Sequence, residues 1–279
     1  MNTLRFIFVV LLAAFGYAPY AAAQEQKPLE PEWLARDFRS VELVSQLTSP
    51  SALTLQRIKD ILEVGESGEE EDLGFETTRF DLGRGNGYTR LYVEGIAVKG
   101  RIAVYKIGIE SYGSWPLIRD RIIELWKHNG GPEFVETAIG IVHVETNEAV
   151  LQSYKSSVSA ALGEMQQMKV PDELKKPYEY LTSPLDCTAF ARDGHAAVAA
   201  LVDAQRIDLV ENVLRSSSPS GRVHAAVVLS KLSQSEGLVL SPETLSTIEK
   251  VRNLNISITV VSGCIVNRLT ANEILSEDN

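Results

Sequence analysis

The sequence predicts an α+β fold in which an antiparallel sheet with packed helices is followed by an all-helical region. The first observation is a period-two alternation, in which Ala103, Tyr105, Ile107 and Ile109 share one face of a predicted strand. The second is the change after Pro171, where strand signals nearly disappear and apolar residues recur at helical spacing. The chain has 279 residues, which is above the usual size of one domain, so we expect more than one.

The first 23 residues have the pattern of a secretory signal peptide. Arg5 precedes an apolar run over residues 6–15, and the segment ends in Ala21-Ala22-Ala23. This run is shorter than the roughly 20 residues that a membrane span needs. The pattern predicts cleavage before Gln24 and export of a soluble mature chain to the periplasm or outside the cell, without membrane insertion.

Residues 24–72 are predicted to form N-terminal helices and an acidic linker. Pro31 opens a helix, and Ser49-Pro50 suits the start of another, with serine as N-cap and proline in the first turn. Residues 66–72 are rich in acidic side chains. Their spacing does not match an EF-hand loop, so a solvated linker is the preferred interpretation over a calcium site.

Residues 73–168 are predicted to form the α+β domain. Asn86-Gly87 lies between two strand-like runs and predicts a tight hairpin turn, because both residues accept positive φ. A second turn at Lys99-Gly100 extends this to a three-stranded meander, followed by a helix, a fourth strand over residues 134–145 and a second helix. A strand follows the glycines of Gly83-x-Gly85-x-Gly87, which favours a turn over a phosphate-binding loop.

Residues 169–279 are predicted to be all-helical. Ser183-Pro184, Ser218-Pro219 and Ser241-Pro242 each suit a helix start. Residues 256–266 fit a strand or a helix, and we expect a helix because the neighbouring segments are helical.

The tetrapeptide His195-Ala-Ala-Val198 recurs as His224-Ala-Ala-Val227 in a second alanine-rich segment. These segments resemble part of a HEAT-type helical repeat, in which small residues let paired helices stack. The offset of the tetrapeptides is shorter than the family period of about 40 residues. The resemblance covers only the C-terminal part of the chain, and it implies a helical-repeat-like domain that binds other proteins.

Charge and cysteine content restrict the partners and the compartment. The formal net charge is −10, and this repels phosphate backbones, so we expect no nucleic-acid partner. The chain has two cysteines, Cys187 and Cys264, and an even number in an exported protein favours a disulfide bond between them. Such a bond would fasten the end of the helical domain to its beginning.

Three histidines are candidate site residues. His143 and Glu145 lie two residues apart on one face of a strand, a spacing that suits a general base with its orienting carboxylate, or two metal ligands. His195 and His224 could approach each other if the repeats stack, and with Asp193 they could bind zinc. The preferred interpretation of all three histidines is structural, because no complete set of partners accompanies them. No catalytic, cofactor-binding or metal-ligating residue is therefore assigned.

The resulting hypothesis is an exported, non-catalytic protein-binding or scaffold protein, whose partner is another protein in the envelope or outside the cell. The alternative is an exported hydrolase or small-ligand-binding protein with a site near His143 and Glu145. A pocket between the sheet and the helices would also suit a small ligand.

Overall fold

The computed structural model describes residues 31–48, 53–63, 69–85, 87–111, 114–254, 256–263 and 265–277. The predicted signal peptide and Ser49-Pro50 lie outside them. The helices are α1 (Pro31–Glu42), α2 (Val44–Leu47), α3 (Leu55–Leu62), α4 (Trp115–His128), α5 (Glu148–Leu162), α6 (Asp172–Thr182), α7 (Arg192–Asp203), α8 (Ile207–Val213), α9 (Pro219–Ser235), α10 (Pro242–Arg252) and α11 (Ala271–Glu277). The strands are β1 (Glu69–Gly74), β2 (Thr77–Gly85), β3 (Arg90–Val98), β4 (Arg101–Glu110), β5 (Val135–Glu136), β6 (Gly140–Thr146), β7 (Ser257–Ser262) and β8 (Ile265–Thr270).

Six strands form an antiparallel sheet in the order β1-β2-β3-β4-β6-β5, and helical segments follow it, which confirms the α+β class. The sheet has two more strands than predicted, because the segment expected as one fourth strand forms the paired strands β5 and β6 and because β1 is added at the other edge. The turn at Lys99-Gly100 is confirmed. Val98 pairs with Arg101, and both turn residues have positive φ, as a two-residue hairpin requires.

The expectation of a solvated acidic linker is wrong for residues 69–72, which lie in the edge strand β1. Cations pair with two acidic residues of the strand: Lys59 pairs with Glu70, and Nη2 of Arg79 lies 2.7 Å from Oε2 of Glu71. Burial raises the pKa of Glu71, while the Arg79 charge opposes this shift. Residues 64–68 lie outside the described part of the chain.

The predicted two-residue turn at Asn86-Gly87 is also wrong in detail. The chain does join antiparallel strands here, but the last pair is Gly85 with Arg90, so the connection spans residues 86–89. Asn86 lies outside the described residues. A Cβ on Gly87 would lie 2.6 Å from both Oδ1 of Asp37 and the carbonyl oxygen of Trp33. Close approach of α1 therefore accounts for the glycine.

The two faces of the sheet have different coverings because side chains alternate along each strand. Leu82, Val93 and Ile107 lie on the face that forms one buried cluster with α1–α4. At the end of the opposite face near the Lys99-Gly100 turn, Val98 and Val104 share a second buried cluster with α5–α11. The C-terminal helices therefore pack directly on the sheet.

The helix expected for residues 256–266 is wrong. β7 and β8 form an antiparallel hairpin there, with Ser262 paired to Ile265. The backbone of Phe190 decides between the two patterns. Its N–H donates to the carbonyl of Thr259 at 2.7 Å, and its own carbonyl accepts from the Val261 N–H at 3.1 Å. These bonds require an extended β7.

Two of the three predicted Ser-Pro helix starts are confirmed. The Oγ atoms of Ser218 and Ser241 cap α9 and α10, each accepting an amide bond at 3.0 Å. Ser183-Pro184 is different, because Oγ of Ser183 accepts from the amides of Leu185 and Asp186 in a non-helical turn. Cys187 consequently lies outside any helix, and the next helix, α7, begins only at Arg192.

Candidate functional site

His143 and Glu145 on β6 do come together. Nε2 of His143 lies 3.5 Å from Oε2 of Glu145, and Nδ1 of His143 lies 2.7 Å from the carbonyl oxygen of Glu133. The hydroxyl of Tyr105 on β4 lies 3.1 Å from the same Glu145 oxygen and 3.0 Å from the Leu47 carbonyl. Burial, aided by the charge of Glu145, raises the pKa of the Tyr105 phenol.

This arrangement does not suit general-base catalysis. A catalytic histidine uses one ring nitrogen for its orienting partner and presents the other to the substrate. Nδ1 of His143 contacts the Glu133 carbonyl, whereas Nε2 is buried, faces Glu145 and has no hydrogen-bond partner in the described structure. The chain from Glu133 through His143, Glu145 and Tyr105 to Leu47 instead connects β6, β4 and the end of α2.

His195 and His224 also meet, as the repeated tetrapeptide suggested. Their ring centroids lie 4.6 Å apart with perpendicular planes, and the ring of Phe190 stacks on His224 at 4.3 Å. His224 is buried, whereas His195 is exposed. Gly194 permits this approach of α7 to α9, because a Cβ at that position would collide with the His224 ring. We call Phe190, His195 and His224 the aromatic cluster.

The aromatic cluster makes folding stability sensitive to acid. Burial, with a smaller contribution from His195, lowers the pKa of His224 from 6.5 to about 3. Below pH 6.5 the unfolded chain therefore binds a proton that the folded chain excludes. The free energy of unfolding should fall by up to about 1.4 kcal/mol per pH unit between these values.

Urea unfolding at pH 7 and pH 5 measures this effect. We expect His224→Gln to remove most of the loss at pH 5 and His128→Gln, at an exposed site on α4, to leave it unchanged. An unaltered pH dependence in His224→Gln would show that other groups cause the acid sensitivity.

Across the residues that the structure describes, no group of three or more histidine, cysteine, aspartate or glutamate side chains is placed to hold a metal ion. Asp193 therefore does not complete a zinc site with His195 and His224.

The described cysteine offers no reactive nucleophile. Cys187 is buried with a free thiol, and burial raises its pKa to about 12. At neutral pH the thiolate that would act as a nucleophile is therefore scarcely populated. Cys264 lies outside the described residues, and the Cys187–Cys264 bond stays a prediction.

The β7–β8 hairpin presents a surface that the sequence did not reveal. Val261 is 37% exposed, Ile265 61% and Val266 65%. β8 forms one edge of a two-stranded sheet, and no further strand of the described chain pairs with it. Arg268 is the single charged residue in 257–270. The alternation of apolar residues over 256–260 is the sequence feature that indicates a strand here.

Comparison with known proteins places the chain in no family. Within the part that the structure describes, no helix combines the length and apolar character needed to cross a membrane. No protein-family model, curated protein or solved structure matches the chain.

Proposed function

We propose that this protein is an exported, non-catalytic binding protein that captures an extended segment of another protein along the edge of β8. The partner belongs to the envelope or the space outside the cell. The exposed apolar edge of β8 is the observation that carries this proposal. An unpaired edge strand offers backbone donors and acceptors to an incoming strand, and neighbouring side chains supply specificity.

The chemistry of the hairpin indicates the kind of segment that would bind. Ile265 and Val266 are largely exposed in the free protein. Contact with apolar side chains of the partner would remove this apolar surface from water. The hairpin contains no acidic residue although the chain carries a net charge of −10. Exposed Arg268 would then pair with an acidic residue of the partner.

The hairpin is supported from behind, which suits a binding surface. Phe190 bonds to β7 through both its backbone groups, and the same residue stacks on buried His224 of α9. Ile258 of β7 is buried in the core shared with the helices. These contacts hold the hairpin in place before binding and so reduce the conformational entropy lost on association. The HEAT-like resemblance of α7 and α9 supports the same class of function.

Site-specific photocrosslinking in the native host tests the proposal. A photoreactive amino acid replaces Val266 in one variant and Val239 in another. Val239 is the matched control because it is also an exposed valine, at 92%, but lies in the loop before α10. We expect a discrete heterologous adduct from position 266 and little from position 239.

Charge reversal in the same assay distinguishes specific ion pairing with the partner from nonspecific hydrophobic association. Arg268→Glu should reduce the adduct at position 266 about fivefold, which is the effect of losing about 1 kcal/mol of complementary charge interaction. Lys250→Glu, at an exposed position on α10, should leave the adduct unchanged. Equal adducts from positions 266 and 239 would refute the binding surface. A single adduct with twice the mass of the chain would show that the partner is a second copy of this protein and would refute a heterologous partner.

A further inference from the structure

A cleft runs along α5 on the side of the molecule where the C-terminal helices meet the sheet. It consists of two adjoining depressions with volumes of about 500 and 380 Å³. Lys155, Met165 and Ser217 line both of them, so the two depressions are neighbours. Each volume lies within the range of about 300–1,000 Å³ that is usual for sites of small molecules.

The two halves of the cleft differ in chemistry. The half nearer the sheet is lined by apolar side chains, including those of Val104, Leu151 and Leu185. The other half contains the hydroxyl groups of Ser156 and Ser159 beside charged residues. Met165, which is 37% exposed, lies between them. A ligand that fits both halves has an apolar body and a polar head.

The cleft is lined by charges of both signs, and the best shielded of them is a cation. Glu164 and Glu179 line the cleft but are exposed, whereas the side chain of Arg215 is only 11% exposed. Arg215 has one carboxylate partner, Glu243, at 3.1 Å. Lys155 has no ion pair among the described residues and stands where the two halves join. Lys155 is exposed like the two glutamates, so Arg215 is the deeper charge. Arg215 acts in a less polar surrounding and therefore influences a bound ligand more strongly.

A further cation lies behind the floor of the cleft. Arg222 is fully buried, and its Nη1 donates to the carbonyl of Ser216 at 2.8 Å. Within the described chain its guanidinium has no carboxylate partner; it lies 5.8 Å from the ring centroid of Phe75 and beside the hydroxyl of Tyr154. Tyr154 donates to the carbonyl of Ser217 at 2.8 Å, and Arg222 binds the carbonyl of the preceding Ser216, so this charge is connected to the backbone at the cleft although it does not line it. A buried guanidinium without a counterion favours an anion nearby.

We propose that this cleft binds a small amphipathic carboxylate, such as a medium-chain fatty acid. The carboxylate accepts from Lys155, near Arg215, and the hydrocarbon chain lies on Val104 and Leu151. The exposed glutamates at the rim disfavour a doubly charged phosphate head, because each additional negative charge on the ligand increases the repulsion. The site is separate from the β8 edge, and its existence does not depend on the proposed protein partner.

Isothermal titration of the folded protein with octanoate tests the proposal, with 1-octanol and octyl phosphate as comparison ligands. We expect octanoate to bind with the highest affinity. Lys155→Gln should weaken octanoate binding about tenfold, the effect expected for one charge-assisted hydrogen bond. Lys250→Gln, at an exposed site on α10 away from the cleft, is the matched control and should not alter binding.

A steric variant tests the location independently of charge. Ser156→Trp fills the cleft and should abolish octanoate binding, while Ser153→Trp on the same helix, at an exposed position outside the cleft, should retain it. Circular dichroism checks that both variants are folded. Equal affinities for octanoate and 1-octanol, no heat from octanoate, or retained binding in folded Ser156→Trp would each overturn the proposal. Tighter binding of octyl phosphate would overturn the assignment of a carboxylate head.

Discussion

Replacing Asp37 by alanine is expected to lower the free energy of unfolding by about 3–4 kcal/mol, because it leaves several buried donors without an acceptor. Asp37 on α1 is 1% exposed. Its carboxylate accepts from the amides of Tyr88 and Thr89 at 2.9 and 3.1 Å and from the Thr89 hydroxyl at 2.8 Å. These bonds fasten α1 to the connection between β2 and β3. Urea unfolding of the purified variant measures the loss.

The exposed Asp60 on α3 provides the matched control. Asp60→Ala removes a carboxylate from a helix without leaving buried donors, so its effect should stay within about 0.5 kcal/mol. Equal losses in the two variants would show that Asp37 acts only through helix propensity or net charge. Thr89→Val should cost less than Asp37→Ala, because it removes one of the donors and leaves the two amide bonds in place.

A single methyl group at residue 194 should also destabilise the protein, by about 2–3 kcal/mol, through overpacking. Alanine in place of a glycine within a helix ordinarily stabilises by about 0.5–1 kcal/mol. Gly194→Ala should have the opposite sign because the added Cβ collides with the ring of His224. That ring cannot move aside easily, since Phe190 stacks on it and the carbonyl of Ala189 lies 3.4 Å from Nε2. Thermal and urea unfolding give the sign directly.

A double-mutant cycle identifies the cause of this effect. If the clash with His224 is responsible, Gly194→Ala should cost much less in the His224→Ala background than in the natural chain. Ala196→Gly, at an exposed position of the same helix, should lower stability by only about 0.5–1 kcal/mol. Stabilisation by Gly194→Ala, or strict additivity in the cycle, would contradict the tight approach of α7 to α9.

The same contact matters for the proposed binding surface. His224 supports Phe190, and Phe190 holds β7 through two backbone hydrogen bonds. A variant that displaces His224 should therefore loosen the hairpin that carries the exposed β8 edge. Hydrogen exchange at the Val261 amide reports this loosening independently of global unfolding.

Part of the fold is determined by signals confined to a few neighbouring residues. Asn147 and Ser218 cap helices through bonds to amides three residues away, and Lys99-Gly100 adopts the positive φ of a tight turn. Alternation along β4 likewise identifies its buried face. Such features are predictable because the interacting atoms are fixed by local geometry.

The same local reasoning fails where a distant group takes over the interaction. Ser183 resembles Ser218 in sequence, yet its hydroxyl stabilises a turn instead of a helix start. The acidic segment before Leu73 forms a strand, in which Lys59 and Arg79 from other elements pair with Glu70 and Glu71. Gly87 is a glycine because α1 approaches it closely. No spacing rule within one segment contains these contacts.

The sequence by itself determined the α+β class, the order of most helices and strands, and the presence of two histidines in matching tetrapeptides. Only the tertiary structure decided that His195 and His224 meet, that both nitrogens of His143 face groups of the protein, and that residues 257–270 form a hairpin with an exposed edge. The physical reason lies in the range of the interactions. Helix caps and turns depend on neighbouring residues, whereas Phe190 selects the conformation of β7 from about 70 residues away along the chain.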